Sequence, residues 1–194
     1  MTTRPTLEHL NTCAPEVFCA TLADIWEHAP WVAHGVVGQR PFATVDALHT
    51  AMVDVVAALD EPARVAFYAG HPELAGDDAR RGLMTDASIA EQGTLALARL
   101  DTVDAERWSA LNQAYRARFG FPFILCIRRH TRESALQAFE QRLAHDRNTE
   151  LATTLGEIAA ITRLRLDRLV PGVPDTPDAA DGSHAASHGE SIPS

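Results

Sequence analysis

The chain contains no lysine: all 17 of its basic side chains are arginine. This excludes Schiff-base catalysis through a lysine, a lysine-anchored pyridoxal phosphate and a P-loop lysine. Cysteine is scarce as well. Cys13, Cys19 and Cys126 form no CxxC pair and stand among apolar residues, which suits small buried hydrophobes in a reducing compartment rather than a disulfide framework or a zinc ribbon. The HExxH, GxGxxG and GxSxG patterns are absent, so zinc-peptidase, dinucleotide-binding and hydrolase-elbow readings have no motif to stand on. No apolar run approaches the length of a membrane span, "MTTRPTLEHLNT" lacks a secretory core and "SIPS" is not a peroxisomal address, so the expectation is a cytoplasmic protein with no membrane partner. Positive charge is also in deficit. The net charge of −9 disfavours nucleic acid as a partner, while leaving room for an anionic small molecule wherever a few arginines converge.

What is present is helical. Apolar residues make up 46% of the 194-residue chain, enough for one buried core. "APEVFCATLADIWEHA" has Pro15 near its first turn and Phe18, Leu22 and Ile25 at helical spacing. "TVDALHTAMVDVVAALD" follows Thr44 as N-cap, with Leu48, Met52, Val55 and Leu59 on one stripe. "EPARVAFYAG" is shorter and stops at Gly70. "DASIAEQGTLALARLD" starts at Thr85 or Asp86, "TVDAERWSALNQAYRARFG" runs from a Thr102 cap to Gly120, and "TRESALQAFEQRLAHD" and "RNTELATTLGEIAAITRLRLDRLV" complete the series. Only "FPFILCI", residues 121 to 127, reads as extended, and one short segment cannot make a sheet. The predicted fold is all-α: a compact multi-helix bundle with one short extended segment over residues 1 to 170. From 171 to 194 the composition turns acidic, arginine-free and poor in residues to bury, which predicts a disordered tail.

Several residues do not fit a plain bundle. In "GHPELAG", Gly70 stops a helix and Pro72 holds His71 extended; the stretch reads either as a cap and turn or as a histidine presented for chemistry. Ser88, Glu91 and Gln92, at i, i+3 and i+4, share one helix face that becomes apolar further on, as at a pocket wall or on a half-exposed helix. In the last helix Leu151, Leu155, Ile158, Thr162, Arg165 and Leu169 form one stripe, and Arg165 stands in the middle of it. A desolvated arginine costs several kcal/mol unless it meets a carboxylate, a cluster of carbonyls or a ligand. "FGFPFILCI" is either a buried connector or a loop whose N–H groups, free of helical pairing beside Pro122, face a ligand.

In order along the chain, "HPELAG", "SIAEQ", "LNQAYRARFGFPFILCIR", "FEQRL" and "EIAAITRLRL" resemble the decarboxylases of 2-oxo-4-hydroxy-4-carboxy-5-ureidoimidazoline (OHCU), enzymes of urate degradation. The resemblance runs from about Pro5 to Leu169 and rests on the joint occurrence of these elements. It departs from the family at Glu73, where Asp is common, and in "GTLALARL" after Gln92, where Ala-Gly-Leu is usual. The resemblance implies an all-helical homodimer that releases CO2 from OHCU to give (S)-allantoin with neither metal nor organic cofactor. It places the catalytic histidine at His71 and a catalytic acid at Glu91. It assigns substrate contacts to Pro72, Ser88 and Gln92, to backbone from Phe121 through Phe123 to Ile124, and to Arg165. Two other classes compete with this one. One is a metal-dependent helical hydrolase using some of His28, His34, His49 and His71, and the other is a noncatalytic helical module that binds a partner through its last helix and tail.

Overall fold

The computed structural model of the protein describes residues 4–75 and 102–171. The predicted helix carrying Ser88, Glu91 and Gln92 lies outside the described residues, as does the tail beyond residue 171. Among the described residues the fold is all-helical with no strand. Eight α-helices follow in order: α1 (Leu7–Thr12), α2 (Pro15–Leu22), α3 (Trp31–Val36), α4 (Val45–Ala57), α5 (Glu61–Ala69), α6 (Thr102–Phe119), α7 (Arg132–Leu143) and α8 (Arg147–Leu169).

Short polar caps start most of these helices by taking up orphan N–H groups. The Thr44 hydroxyl accepts from the Ala47 N–H at 3.0 Å, the Asp60 carboxylate from Ala63 at 2.9 Å and Asp146 from Thr149 at 3.0 Å. Thr131 and Ser134 form a reciprocal capping box on α7. Pro15 occupies the first turn of α2, where its missing N–H costs nothing. Gly120, after α6, adopts φ +81°, a left-handed conformation that glycine reaches without a Cβ clash.

α2 stops earlier than its apolar spacing predicts. Residues 23–30 form a series of tight turns, with i−3 bonds from Ile25 N to Leu22 O and from Ala29 N to Trp26 O at 3.2 Å each. His28 sits at φ 51° and Pro30 steers Ala29 away from the α region, so the helix cannot continue. Ile25, Trp26 and Ala29 are buried nonetheless, and Glu27 is buried with them, only 4% exposed.

The core is rich in aromatic rings. Tyr115 of α6 packs against Phe119, Phe121, Phe123 and Phe139, and Phe123 stacks on Phe139 with centroids 3.8 Å apart. The predicted extended segment is present as non-helical backbone from Phe121 to Cys126, closed by a single turn of 3-10 helix at Ile127–Arg129, and all seven residues from Phe121 to Ile127 are buried. The buried Arg142 and the half-buried Glu157 anchor it. The Arg142 Nη1 donates to the Ile124 carbonyl at 2.8 Å, and the Cys126 N–H donates to Glu157 Oε2 at 2.7 Å.

Arg142 belongs to a buried polar network that sequence periodicity does not announce. Its Nε and Nη2 donate to Glu150 Oε1 at 2.9 and 2.5 Å. Glu150, fully buried, also takes bonds from Tyr115 Oη, Thr154 Oγ1 and His145 Nδ1. Each charge is thus compensated several times, as burial of an ion pair requires.

Candidate active site

A pocket opens where the C-terminal end of α5, the turns at 23–30, the extended segment and α8 meet. About 640 Å³ of space lies between its walls, open solvent at the mouth included. Glu27, His71, Pro72, Arg165 and the segment from Phe123 to Arg128 all line it. His71 and Arg165, singled out separately in the sequence, therefore share one hollow.

The local chain at His71 follows from the end of α5. Gly70 closes the helix, the His71 N–H still reaches back to the Tyr68 carbonyl at 3.1 Å, and Pro72 then turns the chain away. The imidazole folds back onto α5: Nδ1 lies 3.3 Å from the Phe67 carbonyl, and the ring meets the Phe67 ring edge-on at 5.0 Å. A carbonyl oxygen only accepts, so Nδ1 carries the proton and the Nε2 lone pair is left available. Burial lowers the pKa of His71 to about 4, while Glu27 and the Phe67 carbonyl pull it upward and Arg165 and His28 push it down. At neutral pH the ring is therefore uncharged, the form a general base must have.

Arg165 is 9% exposed and donates from Nη1 to Glu27 Oε2 at 2.8 Å. Of the partners its core position demands, a carboxylate is thus one. One turn earlier, the Thr162 hydroxyl bonds the Ala159 carbonyl at 3.1 Å and lies 3.0 Å from His49 Nε2, which joins α4 to the pocket wall. Burial holds His49 below the usual histidine range, with Arg163 adding to the effect.

The extended segment offers backbone to the pocket. Its Cys126 N–H is taken by Glu157, whereas among the described residues the N–H groups of Phe123, Ile124 and Leu125 donate to no protein acceptor. Phe123 and Ile124 stand in the pocket lining. Phe121 does not. It is fully buried behind the pocket, edge-on to Tyr68 and Tyr115 at 5.2 and 5.9 Å.

Glu91, Ser88 and Gln92 lie outside the described residues, so the acid in view is Glu27, which the sequence reading did not single out. Its signal was available only indirectly: a glutamate beside apolar Ile25 and Trp26, three residues before Pro30. Among the described residues no three His, Cys, Asp or Glu side chains are grouped to hold a metal ion. Among the same residues no helix is long and apolar enough to cross a membrane.

A helical bundle that gathers the His71 imidazole, the buried Glu27–Arg165 pair and the Phe123–Ile124 backbone around one hollow has the form of a candidate small-molecule site. Comparison with known proteins narrows that class. The family model described as OHCU decarboxylase matches residues 11–167. The OHCU decarboxylase of Halalkalicoccus jeotgali is 36% identical over 86% of this chain and 93% of its own. The uric acid degradation bifunctional protein of Bacillus subtilis is 34% identical over 85% of this chain and 33% of its own. A solved structure of (S)-allantoin synthase superposes with a TM-score of 0.69 at 25% identity, covering 86% of this chain; this chain spans about half, 54%, of that one. The chain belongs to the OHCU decarboxylase family.

Proposed function

We propose that the protein decarboxylates OHCU to (S)-allantoin in urate degradation. The observation that carries this reading is the convergence of His71, Arg165 and the Phe123–Ile124 backbone on one pocket in a chain of this family. The substrate bears its carboxylate on a carbon that also carries a hydroxyl, next to a ring C=N. When CO2 leaves, the C–C electron pair moves into that C=N, so the substrate supplies its own electron sink. The protein has only to orient the groups, move a proton and stabilise developing charge, which is within reach of a chain without lysine.

In this reading the Nε2 of neutral His71 takes the hydroxyl proton as the C–CO2 bond breaks. The protonated imidazole then returns that proton to the carbon bearing the ureido group, on the face that Pro72 and the α5 terminus present, and the ring nitrogen that received the electron pair takes a second proton from solvent, which completes neutral allantoin. One-face protonation yields one enantiomer. Arg165 binds an anionic or carbonyl oxygen through its planar guanidinium, and the N–H groups of Phe123 and Ile124 hold a ring carbonyl in surroundings from which apolar side chains exclude water. Glu91, Ser88 and Gln92 retain the roles of imidazole partner and ureido contacts, and Phe121 supports the loop from behind. A cytoplasmic homodimer is part of the same proposal: the dimer follows from the family likeness, and three free cysteines suit a reducing compartment. The reading is tested by supplying purified protein with freshly generated OHCU: (S)-allantoin and CO2 must form faster than in buffer, and a rate equal to the buffer control refutes it.

A further inference from the structure

Glu27 comes from the turns at 23–30, 138 residues before Arg165, and nothing in the acid–base cycle above uses it. Yet it is 4% exposed, lines the pocket and holds the guanidinium that faces the ligand. A buried carboxylate in that position does two physical things. It fixes the plane of the guanidinium, because a charge-assisted bond of 2.8 Å is directional. It also offsets much of the arginine's positive charge, because at low dielectric two opposite unit charges in contact act on a third group largely as a dipole.

The second effect matters for a decarboxylation. The substrate's negative charge begins on the carboxylate and leaves it as CO2 departs, moving into the ring. A full, unshared positive charge on the carboxylate would stabilise the ground state more than the transition state and so slow the reaction while tightening binding. An arginine already shared with Glu27 can recognise the carboxylate without over-stabilising it. Among the described lining residues, Glu27 brings the charge from two arginines, Arg128 and Arg165, down to a net +1.

We propose that Glu27 is a positioning residue that orients Arg165 and tempers its charge, setting how strongly the pocket favours a carboxylated ligand over its uncharged counterpart. The inference rests on the proposed function for its account of turnover, but its binding consequence does not depend on turnover.

The test uses the full chain and two isosteric probes, hydantoin-5-acetate and the uncharged hydantoin-5-acetamide, with affinities measured by calorimetry for wild type, Glu27→Gln and Glu27→Asp. Glu27→Gln is expected to bind the acetate about tenfold more tightly or better, to leave the acetamide within about twofold of wild type, and on OHCU to lower both KM and kcat. Glu27→Asp, which keeps the charge, is expected to restore the wild-type preference between the two probes. Equal changes for both probes would show a merely structural residue and overturn the proposal, as would an unchanged preference. If Glu27→Gln does not fold, Glu27→Asp carries the test: a probe preference moved as far from wild type as that of Arg165→Gln overturns it. A wild type that shows no turnover of OHCU but the expected change in probe preference refutes the proposed function alone. A wild type that binds neither probe overturns the Glu27 proposal and leaves the proposed function to the turnover assay.

Discussion

The Nδ1 of His71 faces the carbonyl of Phe67, one helical turn earlier in α5, at 3.3 Å. That bond fixes the tautomer, directs the unprotonated Nε2 away from α5, and ties the orientation of the imidazole to the backbone of a helix rather than to a mobile side chain. Tyr68, next in sequence, secures the same helix end by donating its hydroxyl to the Leu151 carbonyl of α8 at 3.1 Å.

Replacing His71 by Asn keeps a side-chain donor near the Phe67 carbonyl but removes the titrating nitrogen. If the ring moves the proton, turnover of OHCU should fall about 10²-fold or more with little change in thermal stability. Single-turnover kinetics at neutral pH measure this; near-normal turnover would remove His71 from the chemistry.

The pH dependence of stability should carry the mark of His71. Its folded pKa of about 4 lies below the ordinary value of 6.5, so between those values the unfolded chain binds the extra proton. The stabilising contribution is complete above pH 6.5 and declines as pH falls toward 4. From this group alone, urea unfolding should give about 2 kcal/mol less stability at pH 5 than at pH 7. His71→Asn should flatten that difference, and an identical slope in the variant would contradict the assigned burial.

Arg165→Lys keeps the charge and loses the planar fork. Glu27 can still pair with the ammonium, so folding should survive, while kcat/KM falls by about tenfold or more. Steady-state kinetics decide it, and an unchanged kcat/KM would show that geometry at this position is irrelevant.

The buried network is expected to govern stability rather than chemistry directly. Glu150→Gln leaves the Arg142 guanidinium without its carboxylate at a site 5% exposed, and removing one member of a buried pair costs about 3–5 kcal/mol. Denaturant unfolding of this variant should show a loss of that size. A change below about 1 kcal/mol would mean that the pair is solvated in solution.

The all-helical class was legible because seven segments repeat at helical spacing, and Thr44 and Gly120 stand where the chain caps and stops its helices. Arg165 was legible for a related reason: a charged residue in a 4-3-4-3-4 apolar stripe needs a partner, although the stripe could not say which. Glu27 was hidden because "APEVFCATLADIWEHA" keeps helical spacing through a region that is in fact a run of tight turns; Ile25 and Trp26 are buried either way. α1 and α3, at six residues each, are too short to show a period. Glu150 and Arg142 read as ordinary exposed charges of two polar helices, since the pairing that buries them joins separate elements and leaves no mark in either one's pattern.

In the proposed reaction a neutral imidazole at His71, sharing one pocket with the Glu27–Arg165 pair, decarboxylates OHCU and delivers the proton to a single face. Circular dichroism of the allantoin formed from fresh OHCU, followed in parallel for wild type and His71→Asn, tests it most directly. Rapid growth of the (S) signal is expected with wild type and, with the variant, slow formation of product close to racemic. Equally fast, equally (S)-selective traces from both proteins would contradict it.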